Sequence, residues 1–133
     1  MTTTTTIRIL LVDDSEHVLW GLGKLIDAEK PEMTVIGKAR RVGEALAALR
    51  EQQPDVVLLD IFLGEENSLD YLPDMLDAGS AQVLVLTGAR DPALRRRALQ
   101  LGARAVVGKE QPAQELLAAI RRAHAEPVHT RPM

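Results

Sequence analysis

The hydrophobic pattern alternates between short aliphatic runs and longer stretches in which apolar positions recur every three to four residues. Residues 7–12 and 55–59 are rich in Ile, Leu and Val, which is typical of strands buried on both faces of a parallel sheet. From about residue 16 to 29 the apolar positions form one stripe of a helix. The chain therefore begins as a strand followed by an amphipathic helix.

The same alternation continues to residue 124, with Pro and Gly at the boundaries. It predicts strands at 7–12, 34–39, 55–59, 82–86 and 103–107, and helices at 16–29, 43–52, 69–76, 92–101 and 112–124. Residues 1–6 lack periodicity and predict a disordered N-terminal segment, whereas residues 125–133 contain two prolines and predict a linker or tail. One domain of residues 7–124 is expected.

Five strands that alternate with five helices predict an α/β fold. Crossovers in such a fold are right-handed, so the strands form a parallel, doubly wound sheet with helices on both faces. Open sheets of this kind bind ligands at the carboxyl ends of their strands. The functional residues are therefore expected just after the strands.

Composition excludes several classes of protein. The 133 residues include no cysteine, which removes disulfide scaffolds, thiolate zinc sites and cysteine nucleophiles. The three aromatic residues, Trp20, Phe62 and Tyr71, are too few for a base-stacking platform. No apolar run approaches the roughly 20 residues of a membrane helix, and a cytoplasmic protein without membrane association is expected.

The net charge of −3 is unevenly distributed. Residues 1–80 hold 7 Lys or Arg against 15 Asp or Glu, a net charge of −8, and residues 81–133 hold 9 against 4, a net charge of +5. The arginines at 95–97 and 121–122 either form solvated helix faces or a basic surface that meets acidic residues of a second copy in a homodimer. Without a recognition helix, nucleic-acid binding by this chain is not expected.

Polar side chains follow four of the five predicted strands. Asp13 and Asp14 follow the first strand, Asp60 the third and Thr87 the fourth, and Lys109 lies just beyond the fifth. Taken singly, the aspartates could cap a helix or a turn, the threonine could serve a turn and the lysine could be solvated. Together they converge on one crevice, because parallel strands end at the same edge of a sheet.

The combination of three carboxylates, a hydroxyl and an ammonium indicates phosphoryl chemistry. Crowded carboxylates repel one another unless a cation is present, and Mg²⁺ prefers one or two carboxylates together with phosphate oxygens. Lys109 and Thr87 could then contact phosphoryl oxygens. One carboxylate remains as a nucleophile that forms an acyl phosphate, and Asp60, alone at the end of a central strand, is the natural choice.

The residues from 7 to about 124 resemble the receiver domains of two-component response regulators. The matching segments are Leu10–Ser15, Pro54–Ile61, Val83–Gly88 and Leu101–Lys109. The resemblance implies a flavodoxin-like sheet with strand order 2-1-3-4-5. Residues 114–122 are most similar to the receivers that precede a LuxR-type helix-turn-helix domain, so the chain is interpreted either as a stand-alone receiver or as a part of a longer transcription regulator.

The resemblance also implies a role for each site residue. Asp60 would accept a phosphoryl group from a sensor histidine kinase, and Asp14, Asp60 and the backbone carbonyl of Phe62 would ligate Mg²⁺, with Asp13 acting through a water. Thr87 and Lys109 would bind the phosphoryl oxygens and alter a protein-interaction surface. Catalysis would be confined to the domain's own Mg²⁺-dependent phosphorylation and dephosphorylation.

Four positions depart from the family pattern. Val106 stands where an aromatic switch residue is usual, Glu110 where a proline follows the lysine, and Gly64 and Ser68 where proline and glycine are usual. These departures leave room for an alternative hypothesis, a phosphorylation-independent receiver that acts as an interaction module. An aspartate-dependent phosphohydrolase ranks last, because it would need a second acid at the position of Phe62.

Overall fold

The computed structural model describes residues 5–126 and contains the predicted alternation of strands and helices. The strands are β1 (Ile7–Val12), β2 (Met33–Ala39), β3 (Val56–Leu59), β4 (Phe62–Leu63), β5 (Glu66–Asn67), β6 (Gln82–Thr87) and β7 (Ala105–Gly108). The helices are α1 (Glu16–Asp27), α2 (Val42–Gln52), α3 (Leu72–Asp77), α4 (Pro92–Gln100) and α5 (Ala113–Ala125), with a 3₁₀ turn at Ser68–Tyr71. The predicted disordered segment and tail lie largely outside the described residues.

The main sheet has five parallel strands in the order β2-β1-β3-β6-β7. Because β4 and β5 form a separate two-stranded hairpin, this order is the predicted 2-1-3-4-5 arrangement. The flavodoxin-like fold is therefore confirmed. Strand β3 is the central strand of the sheet and β1 pairs with it, so the residues that follow them, Asp60 and Asp13, are neighbours.

Two apolar layers cover the sheet. One consists of α1 and α5 packed against the side chains of Ile9, Leu58 and Leu84. The other consists of α2, α3 and α4 packed against Val57 and Val85, among others. Each fully buried aliphatic side chain contributes about 1.5–3 kcal/mol relative to an exposed one, so burial of the strands on both faces stabilises the whole layer arrangement.

Helix starts follow the local signals in the sequence. Ser15 caps α1 by accepting a hydrogen bond from the amide of Val18 at 3.3 Å. Asp91 caps α4 ahead of Pro92, accepting from the amide of Ala93 at 2.9 Å. These side chains satisfy amides that have no partner within the first helical turn.

The hairpin β4–β5 is a feature that the hydrophobic pattern did not predict. Residues 64–68 lie between the predicted strand 55–59 and the predicted helix 69–76, and here the chain turns at Gly64 with φ of +63°. Phe62 then pairs with Asn67, and Leu63 pairs with Glu66, in antiparallel register. Gly is suited to this turn because it adopts the left-handed region without a Cβ penalty.

Two further differences concern single residues. The last strand begins at Ala105 rather than 103, since the amide of Ala103 donates to the carbonyl of Ala98 and closes α4. Trp20, which lies near the apolar stripe of α1, is 64% exposed, and the ammonium of Lys24 lies 5.5 Å from its ring centroid. Among the helices of residues 5–126, the longest has 13 residues, and none is long and apolar enough to cross a membrane.

Candidate functional site

Three carboxylates meet at the carboxyl edge of the sheet. Asp13 and Asp14 follow β1, and Asp60 follows β3. Each residue has one carboxylate oxygen that lies within 4.8 Å of a carboxylate oxygen of both other residues. Asp13 is buried, and the side chain of Asp60 is 13% exposed. The predicted convergence of the three aspartates is therefore found in the structure.

Lys109 joins this cluster from the turn after β7. Its Nζ donates to Oδ2 of Asp13 and to Oδ2 of Asp60, each at 3.0 Å. The backbone amide of Lys109 donates to the carbonyl of Thr87 at 2.8 Å, so the ends of β6 and β7 hold the lysine against the acidic pair. The ammonium partly neutralises the three carboxylates and leaves an excess of negative charge.

The charges perturb the acid–base behaviour of the two central groups. Burial raises the pKa of Asp60, and the neighbouring Asp13 adds to this, while the hydrogen bond and charge of Lys109 oppose it. For Lys109, burial lowers the pKa, but its hydrogen bonds to Asp13 and Asp60 outweigh burial and raise the pKa above the ordinary value. Lys109 is therefore held as an ammonium, whereas the carboxylate form of Asp60 is disfavoured without additional positive charge.

The donor set fits Mg²⁺. Hard carboxylate oxygens in a cluster of net negative charge are the ligands that this ion prefers, and it usually retains waters beside one or two carboxylates. Asp13, Asp14 and Asp60 could hold it. Phe62 lies two residues after Asp60, at the start of the hairpin, and its carbonyl as a further ligand stays a prediction.

Thr87 is buried at the end of β6. Its Oγ1 accepts a hydrogen bond from the amide of Ala89 at 3.0 Å, and its carbonyl binds the amide of Lys109. The structure thus connects Thr87 to the lysine through the backbone and to the loop that leads into α4. Its hydroxyl hydrogen remains free to meet an acceptor in the pocket.

Several groups that sequence reasoning did not assign to the site also contact the aspartates. The amide of Gly64 donates to Oδ2 of Asp14 at 2.9 Å. The guanidinium of Arg40 donates to the carbonyl of Asp14 at 2.9 and 3.1 Å. The hydroxyl of Ser68 donates to the carbonyl of Asp60 at 2.6 Å. Gly64 and Ser68 stand at two of the four positions where the sequence departs from the family pattern. Those departures were the signal in the sequence that could have pointed to these two contacts.

One arginine in each of the two candidate basic clusters forms ion pairs. Arg97 bonds Asp70 at 2.7 Å, and Arg121 bonds Glu29 and Glu32, each at 2.8 Å. Within residues 5–126, Arg95, Arg96 and Arg122 make no ion pair. Part of the predicted basic surface therefore stabilises the fold, and the remainder stays available.

Comparison with known proteins gives matches over most of the chain. The family model of the response regulator receiver domain matches residues 9–121. The transcriptional regulatory protein DesR of Bacillus subtilis (strain 168) is 31% identical over 115 residues, which cover 86% of this chain and 57% of DesR. The chain spans little more than half the length of DesR and of two other curated relatives that it matches.

Two solved structures have the same architecture. The response regulator domain of Thermotoga maritima CheB has a TM-score of 0.84 at 30% identity, covering 91% of this chain and 98% of that one. A two-component response regulator of the LuxR family from Aurantimonas sp. SI85-9A1 has a TM-score of 0.84 at 32% identity, covering 91% of this chain and 86% of that one.

Proposed function

The chain belongs to the family of response regulator receiver domains, and we propose that it signals by accepting a phosphoryl group on Asp60 from a sensor histidine kinase. Phosphorylation-based signalling is the general function of this family. The observation that carries the assignment to Asp60 is its place at the end of β3, with Lys109 Nζ 3.0 Å from Oδ2. Asp13 and Asp14 complete the acidic cluster.

In the proposed reaction, a carboxylate oxygen of Asp60 attacks the phosphorus of the kinase's phosphohistidine. The new O–P bond forms as the P–N bond breaks, and the imidazole leaves. Lys109, already beside Asp60, then stabilises a phosphoryl oxygen. When bound, Mg²⁺ supplies positive charge for the phosphoryl oxygens, and Asp13, Asp14, Asp60 and the Phe62 carbonyl would hold it. Water later hydrolyses the acyl phosphate.

We propose that Thr87 transmits the phosphoryl group's presence. Its oxygen accepts the amide of Ala89 while its hydrogen is free to bond a phosphoryl oxygen, so one hydroxyl can connect Asp60 to the loop before α4. Because Val106 has no ring to move behind Thr87, this loop is the proposed route to the surface. The unpaired Arg95 and Arg96 on α4 would then contact acidic residues of a second copy in a homodimer.

We further propose that this receiver, residues 7–124, serves a cytoplasmic transcription regulator with a separate LuxR-type DNA-binding output domain. The support is similarity to the transcriptional regulatory protein DesR and to a LuxR-family response regulator. Nucleic-acid contact would belong to the output domain and not to the receiver.

Phosphorylation of the purified protein by acetyl phosphate and Mg²⁺ tests the assignment of Asp60. Intact mass spectrometry should detect one added phosphoryl group on the wild type and on Asp74→Asn, an exposed aspartate of α3, and none on Asp60→Asn. Equal modification of all three proteins would contradict the assignment.

Beryllofluoride, a phosphoryl mimic, distinguishes phosphorylation-dependent signalling from the alternative, a phosphorylation-independent interaction module. Sedimentation with and without it should show a change in oligomeric state that Asp60→Asn lacks. Binding of beryllofluoride without any change in oligomeric state or partner affinity would favour the phosphorylation-independent interaction module.

A further inference from the structure

Ser68 is a buried polar residue that the proposed phosphoryl transfer does not use. Among residues 5–126, three polar or charged residues are buried, and two of them, Asp13 and Thr87, belong to the site. Ser68 is the third, with an exposed fraction of 0%. A polar side chain is rarely buried so completely without a hydrogen-bonding role.

Ser68 makes two hydrogen bonds to the segment that begins with the phosphoryl acceptor. Its Oγ donates to the carbonyl of Asp60 at 2.6 Å, and its backbone amide donates to the carbonyl of Ile61 at 2.7 Å. These bonds join the start of the 3₁₀ turn to the end of β3 across the hairpin. Ser68 thus binds two consecutive carbonyls after the strand, those of Asp60 and Ile61.

The orientation of the Asp60 carbonyl determines the orientation of the next amide. The peptide unit between Asp60 and Ile61 is planar, so its C=O and N–H point in opposite directions. The Ile61 amide donates to Oδ1 of Asp60 at 2.8 Å, while Lys109 bonds Oδ2 at 3.0 Å. A fixed carbonyl therefore keeps an amide aimed at one carboxylate oxygen and leaves the other beside the ammonium.

We propose that Ser68 is a positioning residue, which orients the carboxylate of Asp60 through the Asp60–Ile61 peptide. The proposal rests on the proposed function of Asp60 as phosphoryl acceptor. Loss of the hydroxyl frees this peptide to rotate, and the Ile61 amide then no longer holds Oδ1. The carboxylate would spend less time in the orientation that attacks phosphorus and ligates a cation.

The direct test compares Ser68→Ala with Asn67→Ala. The control removes a hydrogen bond in the same turn, from the amide of Leu69 to Oδ1 of Asn67 at 3.0 Å, without touching Asp60. Ser68→Ala should lower the rate of phosphorylation by saturating acetyl phosphate and weaken the apparent affinity for Mg²⁺, each by about tenfold, as loss of an outer-shell partner does. Asn67→Ala should retain wild-type values.

Amide hydrogen exchange of the metal-free protein distinguishes a local effect at Asp60 from general destabilisation. General destabilisation would lower the protection of many amides, whereas the proposed effect lowers the protection of one. In Ser68→Ala the amide of Ile61 should lose protection, whereas in Asn67→Ala the amide of Leu69 should lose protection and that of Ile61 should keep it. Ser68→Cys, similar in size but a weak donor, should behave as Ser68→Ala if the alanine variant does not fold.

The outcomes distinguish this proposal from the proposed function. If Ser68→Ala or Ser68→Cys is phosphorylated at the wild-type rate with unchanged protection of Ile61, the positioning role is wrong, and phosphorylation of Asp60 is unaffected. If wild type itself is not phosphorylated but Ser68→Ala still loses protection at Ile61, the proposed function fails and the structural coupling stands.

Discussion

The backbone amide of Gly64 donates a 2.9 Å hydrogen bond to Oδ2 of Asp14, which ties the hairpin after β3 to the end of β1. A proline at this position would have no amide hydrogen to donate. The bond leaves the other carboxylate oxygen free for a cation. The acidic cluster is therefore supported by a backbone group in addition to the strands that carry it.

Gly64→Ala should destabilise the protein by about 1–2 kcal/mol, because a Cβ in the left-handed conformation is strained. The new atom would lie 3.4 Å from the guanidinium carbon of Arg41, which is an ordinary van der Waals contact, so the backbone conformation is the source of the strain. Urea denaturation with a linear extrapolation measures the change in free energy of unfolding.

Gly21→Ala is the matched control for this substitution. Gly21 lies inside α1 and a Cβ there would have no neighbour within 4 Å. Alanine should stabilise the helix by roughly 0.5–1 kcal/mol. Destabilisation of equal size by both substitutions would show that the backbone conformation of Gly64 is not the cause.

Lys109→Met should destabilise the metal-free protein by about 1–3 kcal/mol, because the substitution leaves the buried carboxylate of Asp13 and the partly buried carboxylate of Asp60 without their charged partner. Addition of Mg²⁺ should recover part of this loss. Lys38→Met, in which the lost ammonium makes no ion pair within residues 5–126, should change stability little. A loss at Lys109 that Mg²⁺ leaves unaltered would contradict the electrostatic explanation.

Asp60→Asn should raise the thermal midpoint of the metal-free protein at neutral pH by roughly 3 °C, as a gain of about 1 kcal/mol does in a domain of this size. The pKa of Asp60 is raised in the fold, chiefly by burial. Stability is therefore lost as the pH rises from the unfolded value of 3.8 through the folded pKa, and asparagine avoids this loss.

Mg²⁺ should reverse the order of the two proteins. At about 100 times its dissociation constant a ligand adds about 2.7 kcal/mol of stability, which only the wild type should gain. Differential scanning calorimetry with and without Mg²⁺ measures both effects. Equal stabilisation of Asp60→Asn by Mg²⁺ would place the cation elsewhere.

The ion pair between Glu32 and Arg121 should make stability depend on pH in the acid range. The hydrogen bond and charge of Arg121 lower the pKa of Glu32 below its ordinary value of 4.5. The stabilisation is present above that value and is lost as the pH falls through the lowered pKa. Both side chains are partly exposed, so its size at neutral pH should be about 0.5–1 kcal/mol.

Glu32→Gln therefore should lose this stabilisation at neutral pH and match the wild type in strong acid. Glu51→Gln, which removes an exposed carboxylate of α2 that makes no ion pair among the described residues, is the control. Urea unfolding at several pH values measures the difference. A difference between Glu32→Gln and wild type that stays constant down to strong acid would exclude the pair as its source.

The hydrophobic pattern was sufficient to predict the order, along the chain, of the five strands of the main sheet and the five helices that cover it. Strands buried on both faces need continuous apolar runs, and a helix that covers a sheet needs one apolar stripe, so these elements are visible in local sequence. The cluster of Asp13, Asp14, Asp60 and Lys109 was predictable for the same reason, because parallel strands end at one edge.

The hairpin and its contacts could not be predicted in this way. Phe62 and Leu63 pair with Glu66 and Asn67 through backbone groups, and a two-residue strand leaves no periodic signal in the side chains. The bonds from Gly64 to Asp14 and from Ser68 to Asp60 join residues 50 and 8 positions apart. Their geometry depends on how the turn packs over the sheet edge.

Local sequence thus determined which residues form each element and which chemical groups stand at the strand ends, since both follow from burial and strand direction. The tertiary structure decided which side chains are buried or exposed and which hydrogen bonds and ion pairs they form. Arg121 became an ion-pair partner in place of a free surface charge, Trp20 became exposed, and Ser68 became buried against Asp60. The ion pairs of Arg121 join residues 89 and 92 positions apart, and the bond of Ser68 joins two different elements, so neither is recorded in the periodicity of one element.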